Sequence, residues 1–230
     1  MTEGRQLAFD LPARHAFTRD DFFITPATAL ALAAMDAWQD WPSGRMLLIG
    51  PAGAGKTHLA QIWAAQAQAA VIAAADLDKA DLPALAATGA VVVEDAHTLP
   101  ASAAPALFHL HNMLQGAGHL LITAACPPRD WPITLPDLVS RMQAMPATRL
   151  DAPGDALLTA VLVKLFADRQ IAVPASLIGY LTRRMDRSLH AARLLVATLD
   201  ATALAQGRPI TRALAADVMG ADPLDKEPGT

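Results

Sequence analysis

The sequence predicts an α/β fold: a parallel sheet flanked by helices, followed by a small C-terminal all-helical subdomain. Three observations predict it. Short apolar runs alternate with helical segments as far as Leu150, a glycine-rich turn joins the first run to a helix, and after Pro153-Gly154 only helical patterns remain. Strands that alternate with helices build parallel sheets, because each crossover carries the chain back to the edge where the next strand must start.

The elements follow in order. Residues 1–12 read as a tail, with Pro12 disfavouring regular structure before it. From Thr25 to Trp41 the positions Leu30, Ala33, Ala34, Ala37, Trp38 and Trp41 recur at helical spacing, and Pro42 ends the run. Met46–Ile49 predicts a strand, the glycine-rich turn follows, and Thr57–Ala69 resumes helical composition. Val71–Ala74, Val91–Val93, Leu120–Thr123 and Thr148–Leu150 are further β-prone runs. Helices are expected at Asp155–Gln170, Pro174–Met185, Ser188–Gln206 and Thr211–Met219. The expected organisation is therefore a tail (1–12), a nucleotide-binding α/β subdomain (13–152), a helical subdomain (153–220) and a polar terminus (221–230).

Composition narrows the function. The 230 residues are 53% hydrophobic and 17% charged, which argues for a packed fold, and much of the apolar fraction is alanine. Long uncharged stretches such as Thr57–Ala75 and Ala96–Pro128 are interrupted by His, Gln, Asn, Gly or Pro, so no membrane span is expected. The N-terminus has acids where a secretory signal needs a basic start and an apolar run, and the lone Cys126 has no disulfide partner. A cytoplasmic protein is expected. A net charge of −4 opposes an affinity built on neutralising nucleic-acid phosphates and leaves only a local basic patch open, so contact with DNA is expected to be indirect.

Gly50-Pro-Ala-Gly53-Ala54-Gly55-Lys56-Thr57 fits G-x-x-x-x-G-K-[ST], directly after a strand and before a helix. Backbone N–H groups of such a loop turn inward around phosphate oxygens, and the helix that follows points its positive end at the same anion. Lys56 is expected to reach the β- and γ-phosphates of ADP or ATP, and Thr57 to offer its hydroxyl to Mg²⁺. Val91-Val92-Val93-Glu94-Asp95 is an apolar strand ending in two acids, where a P-loop protein holds the metal and orients water. Counted from the strand, Glu94 takes the metal side and Asp95 the water side; a register shift of one residue exchanges them.

Phe22-Phe23-Ile24, the P-loop, Val-Val-Val-Glu-Asp, Leu121-Ile122-Thr123, Pro127-Pro128-Arg129, Leu135-Pro136-Asp137-Leu138-Val139-Ser140-Arg141 and Met185-Asp186-Arg187 together resemble the AAA+ module of the bacterial replication initiator DnaA, and most nearly its short Hda-type homologues. The resemblance covers about residues 6–220. It implies that Arg141 is an arginine finger acting on a neighbour's γ-phosphate, that Arg187 is a second-sensor residue, and that Phe23 and Ile24 line the adenine pocket. Gly53, Ala54, Gly55, Lys56, Thr57 and His58 complete the implied nucleotide set. Arg183, Arg184 and Arg193 stand near Arg187, and which arginine meets phosphate stays open.

The same resemblance implies that Gln6-Leu7-Ala8-Phe9-Asp10-Leu11 docks on the β subunit sliding clamp of DNA polymerase. Phe108 and Asn112, at i and i+4, would share one face of a helix in the contact with DnaA, and a homo-dimer is a further expected assembly. Ala124-Ala125 follow Thr123 where the Hda pattern has an acid, so weak or no intrinsic ATPase is expected; with no helix-turn-helix after residue 220, origin recognition is not. The implied function is a regulator of replication initiation that stimulates hydrolysis of DnaA-bound ATP. A self-acting AAA+ loader or motor, or a DnaA-like tethering factor, are the alternatives.

Overall fold

The computed structural model describes residues 19, 22–116 and 118–220. The expected clamp-binding positions Gln6, Leu7, Phe9 and Leu11 and the terminus 221–230 lie outside the described residues. Five strands, β1 (Arg45–Ile49), β2 (Ala70–Ala73), β3 (Ala90–Glu94), β4 (His119–Ala124) and β5 (Ala147–Arg149), form one sheet in the order β2-β3-β4-β1-β5. Every pairing is parallel, and the register sets Val93 beside Ile122 and Ile49 beside both Ala124 and Arg149. All five residues of β1 are buried, as a strand paired on both edges and covered on both faces must be.

Side-chain alternation divides the sheet between two cores. Leu47, Ile49, Val91, Val93, Leu120 and Ile122 face a layer containing α4 (Ala104–Met113) and α5 (Pro136–Ala144), with α3 (Leu82–Ala87) packed at its margin. Met46, Leu48, Val92 and Leu121 face α1 (Pro26–Asp36) and α2 (Lys56–Ala67), where Trp63 is fully buried and stacks on Trp41 at 5.1 Å. A third core belongs to α6 (Asp155–Asp168), α7 (Ala175–Arg184), α8 (Leu189–Gln206) and α9 (Arg212–Met219), built around Leu158, Leu162, Phe166, Leu181, Val196 and Leu214. The hydroxyls of Ser188 and Thr211 cap α8 and α9, accepting from Ala191 and Leu214 N–H, and Gly207 and Gly220 end these helices in the left-handed region.

The first helix forms, but its buried face differs from the expected one. Thr28, Ala31, Leu32 and Met35 point inward, while Leu30 is 75% exposed and Ala33 and Ala37 face outward. Trp38 and Trp41 belong to turns beyond the helix end, so a phase counted back from them is rotated. Among the described residues no helix is long and apolar enough to cross a membrane.

Candidate functional site

The P-loop leaves β1 between its two parallel neighbours, at the carboxyl end of the sheet, and enters α2 at Lys56. Gly55 (φ +104°) and Gly53 (φ +73°) make the turn, in a region that side chains rarely occupy. Gly53 has a second reason to lack a side chain: a Cβ there would stand 1.8 Å from Ser188 Oγ. The start of α8 is bonded to the loop at this point, with Leu189 N–H donating to the Gly53 carbonyl at 2.9 Å.

Lys56 is 7% exposed, and its Nζ donates to the carbonyls of Gly50 at 2.8 Å and Pro51 at 3.0 Å. Burial lowers its pKa from the ordinary lysine value, opposed by the nearby charges of Asp95 and Glu94. A buried ammonium beside N–H groups and a helix N-terminus concentrates positive charge where an anion would sit.

The two strand-tip acids occupy different surroundings. Glu94 stands beside Thr57, whose hydroxyl favours its charged form, and its Oε1 is buried with no hydrogen-bond partner. Desolvation raises the Glu94 pKa above the usual carboxylate value and Asp95 adds to the rise, while Thr57 and Lys56 act against it. Asp95 lies at the turn after β3 in the left-handed region (φ +56°), with its side chain 59% exposed. Its N–H donates to Thr123 Oγ1 at 3.0 Å, and Ala125 N–H donates to His97 Nδ1 at 3.2 Å. His97 Nδ1 also lies 4.0 Å from the Asp95 carboxylate.

The orphaned Glu94 Oε1 and the Thr57 hydroxyl beside it are the hard oxygen donors that Mg²⁺ prefers. No group of three His, Cys, Asp or Glu side chains among the described residues could hold a metal by itself. A cation at Thr57 and Glu94 would thus draw most of its oxygens from outside the protein, as one that arrives on a polyphosphate does.

Phe22 is buried in the sheet-side core and meets His58 edge-on at 5.4 Å, whereas Phe23 packs against the helical subdomain. The two aromatics therefore bridge the subdomains, and Ile24 is left 66% exposed. His58 is 4% exposed, with Arg193 from α8 at 3.5 Å from its Nδ1. Arg187, one residue before the Ser188 cap, has a 59% exposed side chain and pairs with Asp155 at 2.8 Å.

Arg141 stands on α5, apart from these groups, and turns to α4 rather than to Asp137 one turn earlier. Its Nη1 donates to Asn112 Oδ1 and lies 3.3 Å from His111 Nδ1, and the guanidinium covers the Phe108 ring at 4.7 Å. Phe108 and Asn112 thus share a helix face, as their spacing predicts, and that face holds Arg141. Buried Arg45 closes the end of α4 from inside, donating to the His111 carbonyl at 2.9 Å. Two guanidiniums at this C-terminus suit its negative dipole end, and burial with both nearby cations lowers the His111 pKa to about 4.

Sequence reasoning did not single out Ser188 or His97, and it noted Thr123 only as a strand end. Position gives the one signal for Thr123: in a parallel pair with Val93 beside Ile122, the residue after Ile122 must flank the acids that follow Val93.

No protein-family model matches the chain. Among solved structures, domain III of the Thermotoga maritima replication initiation protein DnaA superposes with a TM-score of 0.72 at 18% identity, over 91% of this chain and 98% of that one. AMPPCP-bound DnaA from Aquifex aeolicus gives 0.66 at 16% identity, over 80% of this chain and 64% of that one. The FIGL-1 AAA domain in complex with ADP gives 0.61 at 16% identity, over 82% and 75%. The fold is the AAA+ P-loop fold, in a form like that of DnaA.

Proposed function

We propose that this chain is an Hda-type regulator of replication initiation. It holds ADP or ATP with Mg²⁺ in its P-loop, docks on the sliding clamp through Gln6, Leu7, Phe9 and Leu11, and presents Arg141 to ATP held by a DnaA neighbour. The observation that carries this reading is the Arg141 guanidinium. All of its partners lie on α4 and none is a carboxylate, so among the described residues it is oriented without being neutralised. A fixed cation of this kind stabilises charge that develops on a transferred phosphoryl group, an effect of about 10³–10⁵ in rate for arginine fingers.

The chain's own nucleotide supplies a polyphosphate and its metal ion. The remaining roles belong to the protein: Lys56 and the loop N–H groups hold the anion, Thr57 and Glu94 stand at the metal side, and Asp95 faces solvent at the water side. The bond from Leu189 to Gly53 couples the loop to the helical subdomain. Hydrolysis by this chain itself is expected to be slow, because Thr123 is committed to the Asp95 amide and alanines follow it.

The test is a reconstitution with DNA-loaded clamp and ATP-bound DnaA. Arg141→Ala is expected to keep ADP and clamp binding while losing nearly all stimulated hydrolysis; retained stimulation removes Arg141 from the role. Alanine at Gln6, Leu7 and Phe9 together is expected to abolish clamp retention. Robust turnover by the chain alone, rising with its own concentration, would identify a self-acting ATPase instead.

A further inference from the structure

A second concentration of positive charge lies in the helical subdomain, with no role in the reading above. A cavity of about 370 Å³ opens between α7 and α9, lined by Pro174, Ser176, Leu177, Tyr180, Arg183 and Arg212 among others. The first turn of α7 faces it without a side-chain cap, since the N-cap residue is Pro174, and it contains no acid. Arg212 occupies the first position of α9, where a cation meets the positive end of a helix, and that turn also lacks an acid. Neither Arg183 nor Arg212 has a carboxylate partner among the described residues. Two solvent-exposed guanidiniums and the uncapped N-terminus of α7 thus converge on one space.

Two further observations point to a ligand. Tyr180 lines the cavity, is only 5% exposed, and its hydroxyl has no hydrogen-bond partner among the described residues. Its ring is covered by Arg212 at 4.8 Å and Arg184 at 4.9 Å, which holds the side chain in place. A Cβ on Gly179 would stand 3.4 Å from Arg183 Nη1, so the glycine gives that guanidinium room to lie back along α7 at the cavity wall.

We infer that this cavity is an anion site for a small phosphomonoester, separate from the P-loop. Two arginines, the α7 amides, the Ser176 hydroxyl and the Tyr180 hydroxyl supply donors for a phosphate group, and Pro174 and Leu177 supply an apolar wall for its organic body. The volume fits a sugar phosphate and lies near the low end for small-molecule sites.

Tyr180 is the only tyrosine of the chain, so ring-labelled tyrosine gives a single NMR reporter at the cavity. The full chain, saturated with ADP and Mg²⁺ to occupy the P-loop, is titrated with ribose 5-phosphate and with inorganic phosphate. The expected result is a saturable shift of the Tyr180 ring that KCl at equal ionic strength does not reproduce. Arg183→Gln and Arg212→Gln are each expected to weaken it about tenfold. Ser176→Asp, which places a carboxylate in the α7 first turn, is expected to abolish the shift while raising the melting temperature of the free protein; it serves as the second variant should an arginine variant misfold. No saturable shift, a shift matched by KCl, or equal affinity in all three variants would overturn the site. Tighter binding of a thymidine oligonucleotide per phosphate would overturn the small-ligand assignment.

Discussion

Leu189 gives its backbone N–H to the carbonyl of Gly53 at 2.9 Å, so the first turn of a helix in the C-terminal subdomain is tied to the middle of the P-loop. The contact requires Gly53 twice over, for its positive φ and for the space taken by Ser188. Gly53→Ala is expected to destabilise the chain by about 2 kcal/mol or more, from left-handed strain plus the clash, and to weaken ADP binding. Ser188→Gly should recover the steric part alone. Thermal melts and ADP titrations of the two single variants and the double variant check this, and strict additivity would refute the contact.

In the proposed function, Lys56 serves binding at the expense of stability. Its pKa is lowered by burial, so the folded chain disfavours the charged form throughout the pH range below the ordinary lysine value. Lys56→Met is therefore expected to abolish ADP binding while leaving the ligand-free melting temperature equal or higher at pH 7. A drop of several degrees would show that its two bonds to the Gly50 and Pro51 carbonyls outweigh desolvation.

Glu94 behaves in a parallel way. Its pKa is raised in the folded state, first by desolvation, so the folded chain binds the proton more tightly than the unfolded one. Stability from this group is present in acid, where both states are protonated, and is lost as pH rises through the folded pKa. Glu94→Gln should be more stable than the parent at pH 7, with the difference vanishing below the ordinary glutamate pKa. Melting temperature against pH measures it directly.

His111 has the opposite slope. With a folded pKa of about 4 against 6.5 in the unfolded chain, the unfolded state binds more protons between these values, and the fold loses stability as pH falls through that window. His111→Gln should flatten this acid limb. An unchanged limb would mean that the imidazole is not held between Arg45 and Arg141.

Asn112 and Phe108 hold the Arg141 guanidinium, and this makes them positioning residues for whatever Arg141 contacts. Asn112→Ala is expected to reduce stimulated hydrolysis of DnaA-bound ATP without loss of clamp binding. A normal rate in this variant would show that α4 does not position Arg141 for that hydrolysis.

Much of the fold was legible because the local signals agree with the tertiary structure. Strands buried on both faces read as apolar runs, and α8 and α9 carry their caps at Ser188 and Thr211 and their stops at Gly207 and Gly220. The inward face of α1 was not legible, since alanines supply little contrast between its sides and the two tryptophans that dominate the pattern lie past its end. The glycine-lysine-threonine loop announces itself because all its parts are contiguous. Thr123, His97 and Ser188 reach the same region from other strands and helices, and nothing in their own neighbourhoods marks them.

The sheet ends on strands of four residues (β2) and three residues (β5). So short a rim offers a passing chain too few free amides and carbonyls to zip onto, which protects an alanine-rich, modestly charged molecule from edge-to-edge fibrillation. A neighbouring protein that joins this one must grip it chiefly by helices and loops, the elements that carry most of the exposed arginines among the described residues.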